Sequence, residues 1–124
     1  MKNNVRWCYD HELANGGCLN VHSVSASRSF LHYLHIGEIE IKNNHITLRA
    51  LDETSDSIPV SEIADIYRGY DDLFTSALTR PYGAFWSPLR FTYGQGRRIY
   101  LIIGYSILWT KNKQWYTIIK DLLQ

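Results

Sequence analysis

Glu38-Ile39-Glu40-Ile41-Lys42-Asn43-Asn44-His45-Ile46-Thr47-Leu48-Arg49-Ala50 is the stretch that decides the fold. Ile39 and Ile41, then Ile46 and Leu48, alternate with polar neighbours, which is the period of a half-buried strand. Between the two runs, Asn43-Asn44 offers a pair of residues that tolerate positive φ, as a two-residue hairpin turn requires. The segment predicts an antiparallel hairpin with one apolar face.

Toward the C-terminus the same alternation continues. A polar loop, Asp52 to Ser57, leads to Ile58, Val60, Ile63 and Ile66, and Pro59 confines the strand that holds it to a sheet edge or a strand start. Residues 70–84 read as an excursion, with Asp71 or Asp72 capping a short helix through Leu78. Strand signals return from Phe85 to Tyr93, interrupted at Pro88. Gly94-Gln95-Gly96 is a tight turn, and the near-continuous apolar run Arg97–Tyr105 should be a central strand. Ile107–Trp109 adds a further short one.

At the end of the chain the period changes. Trp115, Ile118, Ile119, Leu122 and Leu123 stand at i, i+3, i+4, i+7 and i+8, one face of a helix capped by Thr110 or Asn112. Trp115, Ile118, Ile119 and Leu122 are expected to plug the sheet, so Ile118→Asp should unfold the protein.

Toward the N-terminus the pattern is weaker. Val5, Trp7 and Tyr9 alternate, as do Leu19 and Val21, and Asn15-Gly16 between them suggests a hairpin. Phe30–Ile36 fits either a strand or a helix. In such a hairpin Cys8 and Cys18 would lie about 17 Å apart, too far for a disulfide, so two free thiols are expected.

The 124 residues are enough for one domain with a substantial core. Nine Tyr, four Trp and four Phe make it aromatic-rich, and a net charge of +1 gives no field to attract nucleic acid. The first half is mildly acidic and the second mildly basic. The N-terminus lacks the apolar core of a secretory signal. The longest apolar run falls well short of the roughly 20 residues of a membrane-spanning helix. A cytoplasmic protein is the expectation.

The order of these segments resembles the pleckstrin-homology-like superfold, in particular its GRAM-like and bacterial members. The resemblance rests on the hairpin Gly37–Leu51, the segment Ile58-Pro59-Val60-Ser61-Glu62-Ile63-Ala64-Asp65-Ile66, the hairpin Arg90–Ile103 and the helix Lys113–Leu123. It implies a mainly β fold, an antiparallel barrel or sandwich of about seven strands capped by one C-terminal α-helix. A single domain spans 1–124, with 36–124 as barrel and helix and 1–35 as an N-terminal extension. Members that bind inositol phosphates clamp them with basic residues on the first hairpin. Here that hairpin offers Lys42 and Arg49 but Thr47, Glu38 and Glu40 as well, too few convergent donors for the task.

No catalytic, cofactor or metal constellation emerges. Cys8, His11, Cys18 and His22 are zinc-type ligands, yet the hairpin would turn Cys8 away from the others. His32 and His35 have no nucleophile or carboxylate at motif spacing. Asp52, Glu53 and Asp56 lack the glycine and distal glutamate of a calcium loop, and Gly94-Gln95-Gly96 joins strands instead of opening a helix.

The excursion Tyr70–Pro88 stands out because Tyr70, Phe74, Arg80, Tyr82, Phe85 and Trp86 are of the types that dominate protein interfaces. The bland alternative is a lid whose aromatics pack on the barrel. The expected role is a non-enzymatic binding or scaffolding module with a protein partner or self-association. One rival is a membrane-surface module using Arg68, Arg90, Arg97, Arg98, Lys111 and Lys113. The other is a small-molecule binder or enzyme with a pocket in the barrel.

Overall fold

The segment Glu38–Ala50 is a hairpin, with Lys42 opposite His45 and with Asn43 and Asn44 at φ of 53° and 59°. The computed structural model to which it belongs describes residues 1–14, 35–51, 53–75, 87–105 and 109–123. In chain order these form β1 (Lys2–Tyr9), α1 (Asp10–Ala14), β2 (His35–Lys42), β3 (His45–Ala50), β4 (Ser55–Pro59) and a 3-10 turn (Val60–Glu62). They continue as β5 (Ile63–Arg68), β6 (Leu89–Tyr93), β7 (Arg97–Ile103) and α2 (Asn112–Leu123). Among the described residues the seven strands make one antiparallel sheet, ordered β4-β3-β2-β1-β7-β6-β5 and curled into a half-barrel.

The curl follows from the connections. β4 and β5 are the two edges of the sheet, yet only the three-residue turn Val60–Glu62 joins them. So short a link draws the edges together. Pro59 ends β4, an edge position that tolerates its missing N–H. In β5, Ile63 and Ile66 are both buried although three residues apart, which strict alternation forbids; a register shift between Ile63 and Asp65 brings them to the same face. Gly37 in β2 permits a close approach to β3, since an added Cβ would stand 1.8 Å from the Arg49 carbonyl oxygen.

α2 packs across β5, β6, β7 and the 3-10 turn, filling the remaining gap. Trp115 and Ile119 are fully buried there, with Tyr116 and Leu123 packed alongside. Ile118 is only half-buried and Leu122 is 43% exposed. The expected four-residue plug is thus a narrower stripe, because the helix inserts along its Trp115–Ile119 line and leaves the neighbouring i+3 positions at its flank. Thr110 Oγ1 accepts the Asn112 N–H at 3.4 Å, while the Asn112 side chain turns inward.

Residues Lys2–Tyr9 correct the expectation that 1–35 stand outside the barrel. β1 lies at the centre of the sheet, paired with β2 through Lys2–Trp7 and with β7 through Val5–Tyr9. The alternation of Val5, Trp7 and Tyr9 was legible, but its partners are distant in sequence. Asp10–Ala14 is helical, so the strand of Val5, Trp7 and Tyr9 ends at Tyr9 and does not run on toward Asn15-Gly16. The other arm, Asn15-Gly16, Cys18 and the Phe30–Leu34 portion lie outside the described residues, as does Ile107 with its expected strand.

The sheet is buried on both sides in its middle. Ile99, Leu101 and Ile103 of β7 face the main core, whereas Tyr100 and Ile102 are buried on the outer face together with Cys8, Leu13 and Phe74. Two covered faces explain why β7 reads as a continuous apolar run.

Candidate functional site

At one end of the half-barrel, the end of β1 meets the starts of β2, β4 and β7. They surround a cleft of about 300 Å³ lined by Trp7, Tyr9, His35, Thr54, Ser55, Asp56 and Arg97. Antiparallel pairing sets the ends of β1, β2 and β7 side by side, and the curl of the sheet brings in the start of β4, although the residues span ninety positions of sequence.

Two polar pairs hold its walls. Glu12 stands in α1, where its Oε1 accepts the Tyr9 N–H at 2.9 Å, half of a capping box. Both Glu12 oxygens also lie 2.9–3.0 Å from His35 Nε2, tying α1 to the start of β2. Across the cleft, the Tyr9 hydroxyl donates to Asp56 Oδ2 at 2.7 Å, tying β1 to β4. Burial, and then the neighbouring Asp56 carboxylate, push the Tyr9 pKa up, so this phenol remains a neutral donor. The His35 ring stacks on Trp7 at 5.5 Å and meets Tyr9 edge-on at 5.8 Å, giving the cleft an aromatic floor. Arg97 extends over the Tyr93 ring at 5.7 Å and makes no ion pair among the described residues.

The arrangement provides a fixed acceptor, a cation and planar apolar surface within one small concavity, which suits holding a ligand. A larger depression of about 570 Å³ lies beside Lys111, Lys113, Thr117 and Ile118. It is open to solvent along the helix surface, and no comparable pair among the described residues fixes its walls.

A second polar cluster sits on the outer face and anchors the start of the excursion. Asp71 Oδ1 accepts the backbone N–H groups of Leu73 and Phe74 at 2.9 and 2.8 Å. Its Oδ2 receives Arg90 at 3.0 Å, the Tyr100 hydroxyl at 2.8 Å and Arg98 at 3.4 Å. Burial raises the carboxyl's pKa, but these donors outweigh it, and Asp71 stays below the ordinary aspartate range. Burial, then Asp71, hold Tyr100 well above the ordinary phenol range. Arg90 also reaches Asp65 at 3.3 Å and lies over the Tyr67 ring, and Arg98 reaches Asp72 at 3.1 Å.

Of the interface candidates, Phe74 is 1% exposed and stacked on Tyr100 at 5.4 Å, so it is part of the packing. Tyr70 is half-buried and stacks on Phe74 at 6.3 Å. Arg80, Tyr82, Phe85 and Trp86 lie outside the described residues, as does the expected helix beyond Thr75. Asp71 does take up capping-type bonds, though residues 71–75 are not helical. Arg90 and Arg98, two of the six residues of the membrane-surface alternative, are committed to carboxylates.

His35 has no carboxylate at motif spacing in sequence, but Glu12 stands beside it in space. Asp56, in the segment expected as a polar loop, belongs to β4, and its carboxylate accepts the Tyr9 hydroxyl. Trp7, Tyr9 and Glu12 carried no local signal for a site. Of the zinc-type ligands only Cys8 and His11 are described: Cys8 is fully buried on the outer face, and His11 stacks on Tyr9. Among the described residues no three metal-ligating side chains gather, and no helix is long and apolar enough to cross a membrane. No family model matches the chain, and no curated protein matches it.

Proposed function

We propose that this chain is a binding module of the pleckstrin-homology-like type, and that its ligand enters the cleft between Trp7, His35, Asp56 and Arg97. The strand order, with β1 between β2 and β7 and the terminal helix across the open side, supports the fold assignment. The observation that carries the function is two polar ties, Tyr9 to Asp56 between two lining residues and Glu12 to His35 behind one of them, which preorganise the walls before any ligand arrives. A neutral, tightly held Tyr9 suits recognition better than proton transfer.

The hairpin used by lipid-binding relatives of this superfold supports no such role here. Glu40 lies 3.9 Å from both Lys2 and Arg49, which neutralises the strand pair. Vesicles containing anionic lipid should therefore leave the protein in the supernatant at low salt.

The test is a fragment screen followed by ¹⁵N NMR. Saturable shifts concentrated on Trp7, Tyr9, His35 and Ser55 are expected. Hits that map elsewhere, or a screen without hits, would remove the reading.

A protein partner at the excursion is a second reading, favoured by the Asp71 knot that fixes the excursion's stem. Changing Tyr82, Phe85 and Trp86 together to Ala should then abolish association seen by light scattering. Unchanged association would end it.

A further inference from the structure

Resting on the cleft as the binding site, we infer that its ligand is a free aromatic amino acid, held as a zwitterion. The argument concerns which charges around the cleft are already committed. Asp10 accepts the backbone N–H groups of His11 and Arg98, and Glu12 serves Tyr9 and His35. Asp56 uses Oδ2 for Tyr9, and its other oxygen has no hydrogen-bond partner among the described residues. Arg97 is exposed, and among the described residues its guanidinium rests on the Tyr93 ring and makes no ion pair. Among the described residues, one oxygen of Asp56 and the guanidinium of Arg97 are the charged groups lining the cleft that lack a polar partner.

A simple anion would suit Arg97 but would meet the field of Asp10, Glu12 and Asp56. A simple cation would suit Asp56 and leave Arg97 unpaired. A zwitterion satisfies both and brings no net charge. Its carboxylate makes the planar, two-pronged contact that guanidinium favours, and its ammonium reaches Asp56. The floor of Trp7, Tyr9 and His35 then receives a flat side chain edge-on or offset. At about 300 Å³ the cleft has room for one ring and an amino-acid head, at the small end of ligand sites. A peptide is a poorer fit, because only a free amino acid carries both charges on one carbon.

The experiment titrates the intact chain with L-phenylalanine, N-acetyl-L-phenylalanine, L-phenylalanine amide and neutral indole, following the Trp7 and Ser55 signals by NMR. Saturable binding of L-phenylalanine is expected, with both blocked forms weaker by roughly tenfold or more, the value of one lost charge-assisted bond. Arg97→Gln should weaken the free amino acid by a similar factor and leave the amide unaffected. Asp56→Asn should weaken the free amino acid and leave the N-acetyl form unaffected. If Asp56→Asn fails to fold, Arg97→Gln decides alone, since Arg97 is exposed and holds no ion pair among the described residues. N-acetyl-L-phenylalanine binding as well as L-phenylalanine overturns the zwitterion and leaves the cleft standing. Indole binding with no response to the amino acid does the same. Silence from all four probes overturns both.

Discussion

Asn112, the first residue of α2, accepts the backbone N–H of Ile103 on its side-chain oxygen at 2.8 Å. Its amide nitrogen donates to the carbonyls of Leu101 at 3.2 Å and Ser87 at 2.8 Å. A side chain only 2% exposed thus continues the β7 ladder past its end and fixes where the helix begins.

Replacing Asn112 with Ala should lower stability by about 2–3 kcal/mol, because three buried backbone groups lose their partner. Asn112→Asp should be at least as damaging, since a carboxylate would face two carbonyl oxygens. Urea denaturation of both variants checks this. A midpoint equal to that of the parent protein would show that the helix is held by Trp115 and Ile119 alone.

Ile119→Asp should unfold the protein, whereas Leu122→Asp should change stability by no more than about 0.5 kcal/mol. Ile118→Asp should fall between the two, because its side chain is half-buried. Thermal melts followed by circular dichroism order the three. An Ile118 variant as damaging as the Ile119 one would mean that the helix presents a wider face than its burial indicates.

Asp71 makes stability depend on acid in a defined direction. Its folded pKa lies below the ordinary value of 3.8, so its contribution is complete above that value and is lost as the pH falls through the folded pKa. Asp71→Asn should cost about 1–3 kcal/mol at pH 7, and the gap to the parent should narrow below about pH 4. Chemical denaturation at pH 7, 4 and 2.5 measures it. A gap that is constant with pH would place the loss in the hydrogen bonds to Leu73 and Phe74 instead of in the charge.

The Tyr9 and Tyr100 phenols should titrate late, as should the buried Tyr93 phenol. Tyr9 and Tyr100 are held above the ordinary phenol value of 10.0 by burial and then by Asp56 and Asp71 respectively. The sign follows: their contribution is complete below the unfolded pKa and is lost as the pH rises above it. Absorbance titration should show a late step, reached only as the protein unfolds in alkali, that includes the Tyr9 and Tyr100 phenols. Tyr9→Phe and Tyr100→Phe should each remove one of them. A titration in which either variant leaves the late step unchanged would break the assignment.

Local order accounts for what could be read early. The hairpin at Asn43-Asn44, the turn at Gly94–Gly96 and the terminal helix each depend on residues within a few positions of one another. Ile118 and Leu122 show the limit of periodicity: it names a face, and packing selects how much of that face is covered. β1 was harder because a strand's pattern does not name its partners. The cleft was hardest. Glu12 and His35 are twenty-three positions apart and Tyr9 and Asp56 forty-seven, separations at which no spacing rule operates.

Hydrophobic period and turn chemistry, which act over a few residues, were enough to determine a mainly β chain closed by one helix. Tertiary structure alone decided that the N-terminal strand takes the centre of the sheet and that four strand ends converge on one cleft. Pairing across a sheet is a competition among distant segments for the same backbone hydrogen bonds, and burial against the whole core selects the winner.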